Sequence, residues 1–270
     1  MDDRPIGMFD SGFGGLTVAR ALIDLLPDED LTYFGDTGRY PYGPRPLEEV
    51  REFARQITRL LIDRHNVKMV VVACNNASAA ALDTLRFEHD IPIVGVIDPG
   101  VRALLAATRN RRIGVIATVG TVASGAYQRA VAATRAQVQL RCAACPGFVE
   151  FVERGETDTE DVHVLAERLL APVRDAGVDA LLLGCTHYPF LAHTIGDVMG
   201  RDVVLVSSAD ETGFEVRSIL AETGLGRRSG RGTGKGRHTF LSSGDVEWFR
   251  RLGGRLLGPE VDEVEAWTWD

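Results

Sequence analysis

Short, wholly apolar runs alternate with amphipathic stretches along nearly the whole chain, and the two patterns predict different elements. Residues 6–9, 31–34 and 70–73 are almost continuously apolar, the signature of strands buried on both faces of a parallel sheet. Residues 16–26 and 47–65 instead space their apolar side chains at three- and four-residue steps and so predict helices, the longer through Leu47, Val50, Phe53, Ile57, Leu60 and Leu61. A helix over 75–85 and a strand over 91–96 complete this series, and Asp98-Pro99-Gly100 reads as a crossing to a second one. There the pattern restarts, with helix 101–107, strand 113–116, helix 124–134, strand 138–142, helix 159–176, strand 181–184 and strand 203–206. A helix over 211–223, a strand over 239–241 and a helix over 246–257 come last.

Alternation of this kind predicts an α/β protein with mostly parallel sheets. The restart predicts two units, one from residues 1–97 with 208–270 and the other from 98–207. Local sequence supports their kinship. Ile6-Gly7-Met8-Phe9-Asp10-Ser11 resembles Ile113-Gly114-Val115-Ile116-Ala117-Thr118, 107 residues further on. Cys74 and Cys185, 111 residues apart, each follow an apolar run and precede small polar residues, in Val70-Val71-Val72-Ala73-Cys74-Asn75-Asn76 and Leu181-Leu182-Leu183-Gly184-Cys185-Thr186-His187. Two pseudo-symmetric domains explain both matches. Ligands collect at the carboxyl ends of parallel strands, so both thiols are expected to face a cleft between the domains.

Composition narrows the class. A 270-residue chain that is 45% hydrophobic can bury substantial cores, and a formal net charge of −8 argues against nucleic acid or an anionic membrane as the main partner. No apolar run approaches the ~18 residues that span a bilayer. The opening Met1-Asp2-Asp3-Arg4-Pro5 lacks the features of a signal peptide, so the expectation is a cytoplasmic protein. The stretch 224–237 holds six glycines and five basic residues, the composition of a solvated loop, with no aromatic side chains to stack on bases.

Four cysteines in a chain of this length do not make a disulfide scaffold. Cys142 and Cys145 have CxxC spacing, but no second ligand pair accompanies them and Pro146-Gly147 stands where a redox motif opens a helix, so they read as ordinary cysteines. The two lysines, Lys68 and Lys235, fall at a buried strand and in the glycine-rich loop, positions ill suited to Schiff-base chemistry.

Cys74 alone reads as a core cysteine, Asp10 alone as a turn or capping residue, and His187 alone as a partner for a backbone carbonyl. None of these readings explains why the cysteine pattern appears twice. Inverting a carbon acid requires a base on one face and an acid on the other, and two opposed thiols supply both.

Four motifs in order resemble those of the glutamate racemase family, within the aspartate/glutamate racemase superfamily. They are Asp10-Ser11-Gly12-Phe13-Gly14-Gly15-Leu16, Pro41-Tyr42-Gly43, Ala73-Cys74-Asn75-Asn76-Ala77-Ser78 and Gly184-Cys185-Thr186-His187-Tyr188-Pro189. The resemblance implies Cys74 and Cys185 as the acid/base pair, assisted by Asp10, His187 and Glu153. It implies Ser11, Tyr42, Gly43, Asn75, Asn76 and Thr186 as substrate-binding residues beside Asp10 and His187, with Thr118 and Thr121 contributing from the second half. It further implies glutamate as substrate, D-glutamate supply for peptidoglycan, a homodimer, and no cofactor or metal. Asn76 stands where the family usually has threonine, and Gly38 where alanine is common. An aspartate or hydantoin racemase, or a non-catalytic binder of acidic amino acids, is the alternative.

Overall fold

The computed structural model describes residues 1–227, 235–261 and 263–269. The first series of elements is β1 (Ile6–Asp10), α1 (Leu16–Leu25), β2 (Leu31–Gly35), α2 (Leu47–His65), β3 (Met69–Val72), α3 (Asn75–Glu88) and β4 (Ile93–Gly95). The second begins with α4 (Ile97–Ala107), β5 (Arg112–Ala117), α5 (Val119–Ala123), α6 (Ala126–Ala133), β6 (Gln139–Ala144), α7 (Phe148–Arg154) and α8 (Glu160–Arg174). It continues through β7 (Ala180–Gly184), a 3-10 turn (Tyr188–Leu191), α9 (Ala192–Met199) and β8 (Val204–Val206). The chain then runs through α10 (Ala209–Thr223), β9 (His238–Ser242), α11 (Val246–Leu257), a second 3-10 turn (Gly258–Val261) and β10 (Val264–Ala266).

Among the described residues two sheets result, one ordered β10-β9-β2-β1-β3-β4 and the other β6-β5-β7-β8, with every strand pair parallel. Setting β9 and β10 aside, the two orders are the same, with β1 and β5 as the equivalent central strands. In each sheet the chain steps from the central strand to one neighbour and then crosses to the other side, which creates a switch point at β1/β3 and again at β5/β7.

The apolar runs became strands because both faces are covered. Along β1 and β3, Met8, Met69 and Val71 enter a cluster with α1 and α10, while Phe9, Val70 and Val72 enter another with α2 and α3. A third cluster packs α4 and α6 on the second sheet through Val101, Leu104, Tyr127 and Val131. The first of these clusters is continuous between the halves, running from Met8 and Phe13 to Leu183 and Tyr188. Each such side chain contributes about 1.5–3 kcal/mol by leaving water, so the shared core holds the two sheets in one body.

Several elements differ from the pattern-based expectation. The expected crossing at 98–100 lies inside the first turn of α4, where Pro99 forfeits no helical hydrogen bond. The helix expected over 124–134 is α6, which starts only after Gly125, whose φ of +68° no continuous helix accommodates and which separates it from the unexpected short α5. The short α7 lies between two left-handed glycines, Gly147 and Gly155, and β10 is a three-residue edge strand; both are too short for periodicity to reveal. Of the glycine-rich stretch at 224–237, residues 228–234 fall outside the described residues.

Candidate active site

Cys74 directly precedes α3 in an extended conformation, and Cys185 directly follows β7. Each thiol therefore sits at the carboxyl end of a strand at a switch point. Their residues are only 5% and 7% exposed, and both line one cavity of about 290 Å3 between the halves. That volume is at the bottom of the range of about 300–1,000 Å3 for small-molecule sites, which fits a small ligand.

Around Cys74 the partners come from the turn after β1. Its Sγ donates to the Ser11 hydroxyl at 3.8 Å, and Ser11 Oγ in turn lies 3.4 Å from Asp10 Oδ1. Asp10 is fully buried behind the cavity wall, where its Oδ2 accepts from the Gly15 amide at 2.5 Å and from the Thr186 hydroxyl of the other half at 3.3 Å. Burial pushes the Cys74 thiol well above its ordinary range, and the Asp10 carboxylate adds to that. The Ala77 amide at the start of α3 and the Ser11 hydroxyl pull the other way and are outweighed. Cys74 therefore stands as a neutral thiol in this state.

Around Cys185 the partner is an imidazole. His187 Nδ1 is 3.9 Å from Cys185 Sγ, and His187 Nε2 is 3.8 Å from Glu153 Oε1 at the end of α7. Burial pulls the His187 pKa down, but Cys185, Glu153 and Asp10 together outweigh it and lift the pKa to about 10. The ring is a cation at neutral pH. Phe13 packs edge-on against it, with centroids 4.9 Å apart. A Cβ on Gly14 would lie 2.5 Å from both His187 Nδ1 and Thr186 Oγ1, so only glycine lets the 11–15 turn of the first half press so closely on the second.

The remaining wall is built from hydrogen bonds across the cleft. Asn75 Nδ2 donates to the Tyr127 hydroxyl at 2.8 Å. Asn76 Nδ2 donates to the Tyr42 carbonyl at 2.6 Å, while its Oδ1 accepts from Thr118 at 3.1 Å and from Thr121 at 2.7 Å. The Gly120 amide donates to the Gly43 carbonyl at 3.2 Å. Among described residues one Asn76 amide hydrogen is left uncommitted.

The structure thus brings Ser11, Tyr42, Gly43, Cys74, Asn75, Asn76, Thr118, Thr121, Cys185, Thr186 and His187 to a single cavity. Asp10 and Glu153 reach it only through Ser11, Thr186 and His187. Sequence reasoning missed Tyr40, Val119, Cys145, Val149 and Glu150, which also line it. Cys145 had a usable signal, since it follows β6 as Cys185 follows β7; burial, reinforced by Cys185, pushes its thiol to about 12. Among the described residues no lysine or arginine lines this cavity, and Lys68 is fully buried elsewhere against Glu29, at 2.5 Å. Among the described residues no cluster of His, Cys, Asp or Glu is arranged to hold a metal ion, and no helix is long and apolar enough to cross a membrane.

A duplicated parallel α/β unit enclosing a small cavity, with one thiol delivered from each unit, defines a two-domain α/β enzyme whose site belongs to both halves. The chain belongs to the Asp/Glu/Hydantoin racemase family, whose model matches residues 16–212. A glutamate racemase from Beutenbergia cavernae is 53% identical over 273 residues, covering 98% of this chain and 93% of that protein. The structure of glutamate racemase isoform RacE1 from Bacillus anthracis superposes with a TM-score of 0.92 at 38% identity, covering 100% of this chain and 98% of that one. The Francisella tularensis glutamate racemase, solved in complex with D-glutamate, gives 0.90 at 33% identity, with 99% and 98% covered.

Proposed function

We propose that this chain interconverts L- and D-glutamate by two-base proton transfer, with Cys74 and Cys185 acting on opposite faces of the α-carbon. The observation that carries this reading is a thiol from each half at the wall of one small cavity. One cysteine, as thiolate, takes the α-proton, and the electron pair is left on the substrate's α-carbon and carboxylate. The other, as thiol, returns a proton to the opposite face. The reverse reaction exchanges the roles, so atoms and charge balance without a further reactant. His187 holds a proton beside Cys185, and Glu153 holds His187; Asp10 orients Ser11 beside Cys74 and Thr186 beside His187.

The cavity binds a zwitterionic dicarboxylate through neutral donors and one imidazolium: Ser11, Asn75, Asn76, Thr118, Thr121 and Thr186, with His187 and the Tyr42-Gly43 backbone. The names of the relatives supply glutamate as the best substrate. D-Glutamate made here feeds peptidoglycan synthesis in the cytoplasm, and the working form is a homodimer; these elements rest on the resemblance to the glutamate racemases.

Incubation with L-glutamate, D-glutamate and L-aspartate without added cofactor, followed by chiral chromatography, tests the reading. Glutamate should racemise from both directions. Racemisation of aspartate alone would move the chain to another branch of the family, and binding without racemisation of either would remove the two-thiol chemistry.

A further inference from the structure

Segment 36–43 supplies the cavity with the Tyr42 and Gly43 carbonyls, yet it contains two glycines and one proline and no regular structure over Pro41–Tyr42. Something outside the cavity must hold it. The Asp36 carboxylate, fully buried, gathers four donors: Arg39 Nε at 2.7 Å, Ser243 Oγ at 2.6 Å, Trp269 Nε1 at 3.1 Å and the Tyr42 hydroxyl. The Arg39 guanidinium lies between two rings, 4.1 Å from Phe53 and 4.0 Å from Trp269. Trp269 therefore touches both members of the Asp36–Arg39 ion pair, bonding one and covering the other. It is anchored in turn on Phe34, at 5.5 Å between centroids, and it comes just after β10, which pairs with β9 at the edge of the first sheet.

We propose that Trp269 is a positioning residue for the reaction, fixing Asp36 and Arg39 and through them the loop whose Tyr42 and Gly43 carbonyls hold Asn76 and Gly120 at the cavity wall. Trp269 does not itself line the cavity. Its influence comes from water exclusion: an ion pair attracts strongly only while its surroundings stay poorly hydrated, and the indole ring provides that cover on one face of Arg39. Opening that face weakens the grip of Asp36 on the Tyr42 hydroxyl, and the Tyr42 carbonyl then loses its register with Asn76.

The proposal rests on the glutamate reaction proposed above, and the test separates the two. Trp269→Ala removes both the ring and the donor, whereas Trp269→Phe keeps a ring over Arg39 and loses only the Nε1 hydrogen bond. For folded Trp269→Ala, kcat/KM should fall about tenfold to a hundredfold, the range for displaced groups remote from the chemistry, mostly as a higher KM for both enantiomers. Trp269→Phe should show a smaller rise in KM of the same kind. Amide hydrogen exchange should quicken over residues 36–43 in both variants while β1 and β3 stay protected.

A purely structural role would lower the melting temperature and the yield of folded enzyme but leave the KM of that enzyme unchanged, and that result would overturn the proposal. Should Trp269→Ala not fold, Trp269→Phe decides, and wild-type KM with wild-type exchange over 36–43 would overturn it. If the wild-type protein does not racemise glutamate, the proposed reaction fails, and the exchange measurement alone judges the positioning role.

Discussion

The surroundings of Cys74 and Cys185 differ far more than their positions do. Both thiols end equivalent strands, both are nearly buried, and both face the same cavity. Cys74 meets a hydroxyl with a carboxylate behind it, and burial holds the thiol protonated. Cys185 meets an imidazolium, held in that form by Glu153 and Asp10 as well as by the sulfur itself. The elements after the two cysteines also differ, a 14-residue helix beyond Cys74 and a four-residue 3-10 turn directly after His187. Duplication of a fold reproduces backbone positions because strand order and packing dictate them. It does not reproduce electrostatics, which depend on a few side chains free to diverge. In the proposed reaction the two thiols trade donor and acceptor roles, and that divergence would serve the exchange, with one thiol protonated and the other beside a proton source.

Removing each sulfur in turn should have the largest effect. Serine is a far weaker acid and base than cysteine in this setting, so Cys74→Ser and Cys185→Ser should each slow racemisation by about 10²–10⁴-fold. The two losses should be biased oppositely. The resemblance to the glutamate racemases implies that Cys185 takes the α-proton of L-glutamate and Cys74 that of D-glutamate, so loss of deuterium from α-deuterated L-glutamate in ordinary water should suffer more in Cys185→Ser, and loss from the D-enantiomer more in Cys74→Ser. Near-normal racemisation in both variants would make the cysteines structural.

A second test strikes the cation found on only one side. The folded-state pKa of His187 is raised from 6.5 to about 10, so its contribution to stability is fully present below pH 6.5 and is lost as pH rises through about 10. The stability difference between wild type and His187→Gln, followed by denaturant titration, should therefore shrink between pH 6.5 and 10. An NMR titration of the ring should give a midpoint well above 7, and one below 7 would remove the asymmetry argued above. Exchange from L-glutamate should slow in His187→Gln more than exchange from D-glutamate.

The smallest effect is expected where the two halves meet symmetrically, at Asn76. Its amide bridges Tyr42 on one side and Thr118 with Thr121 on the other, and threonine keeps one donor and one acceptor there. Asn76→Thr should leave kcat/KM within about tenfold, or about 1.4 kcal/mol. A collapse as deep as that of a cysteine variant would assign this amide a part in proton transfer.

Much of this molecule is legible in one dimension because its dominant signals are local. A strand buried on both faces must be apolar at every position, as in Met69–Val72, and a long helix on a sheet must repeat every three to four residues, as in Leu47–His65. Chain order alone also placed Cys74 and Cys185 at strand ends, where parallel sheets gather ligands. The α/β class, the repeated strand pattern and the strand-end positions of the two thiols are thus written in the chain's local order.

Contacts between residues remote in the chain exist only in the folded molecule. Folding drew Cys145 into the cavity wall, set Asp10 and Glu153 behind that wall, and turned Asn76 into a bridge between the halves. It also brought Trp269 to Asp36, a contact spanning 233 residues that no periodicity encodes. Protonation belongs to the same category. The sequence places a histidine two residues after a cysteine, but whether that ring is charged depends on burial and on carboxylates from other elements, because the competition between desolvation and neighbouring charge exists only once the chain has closed around it.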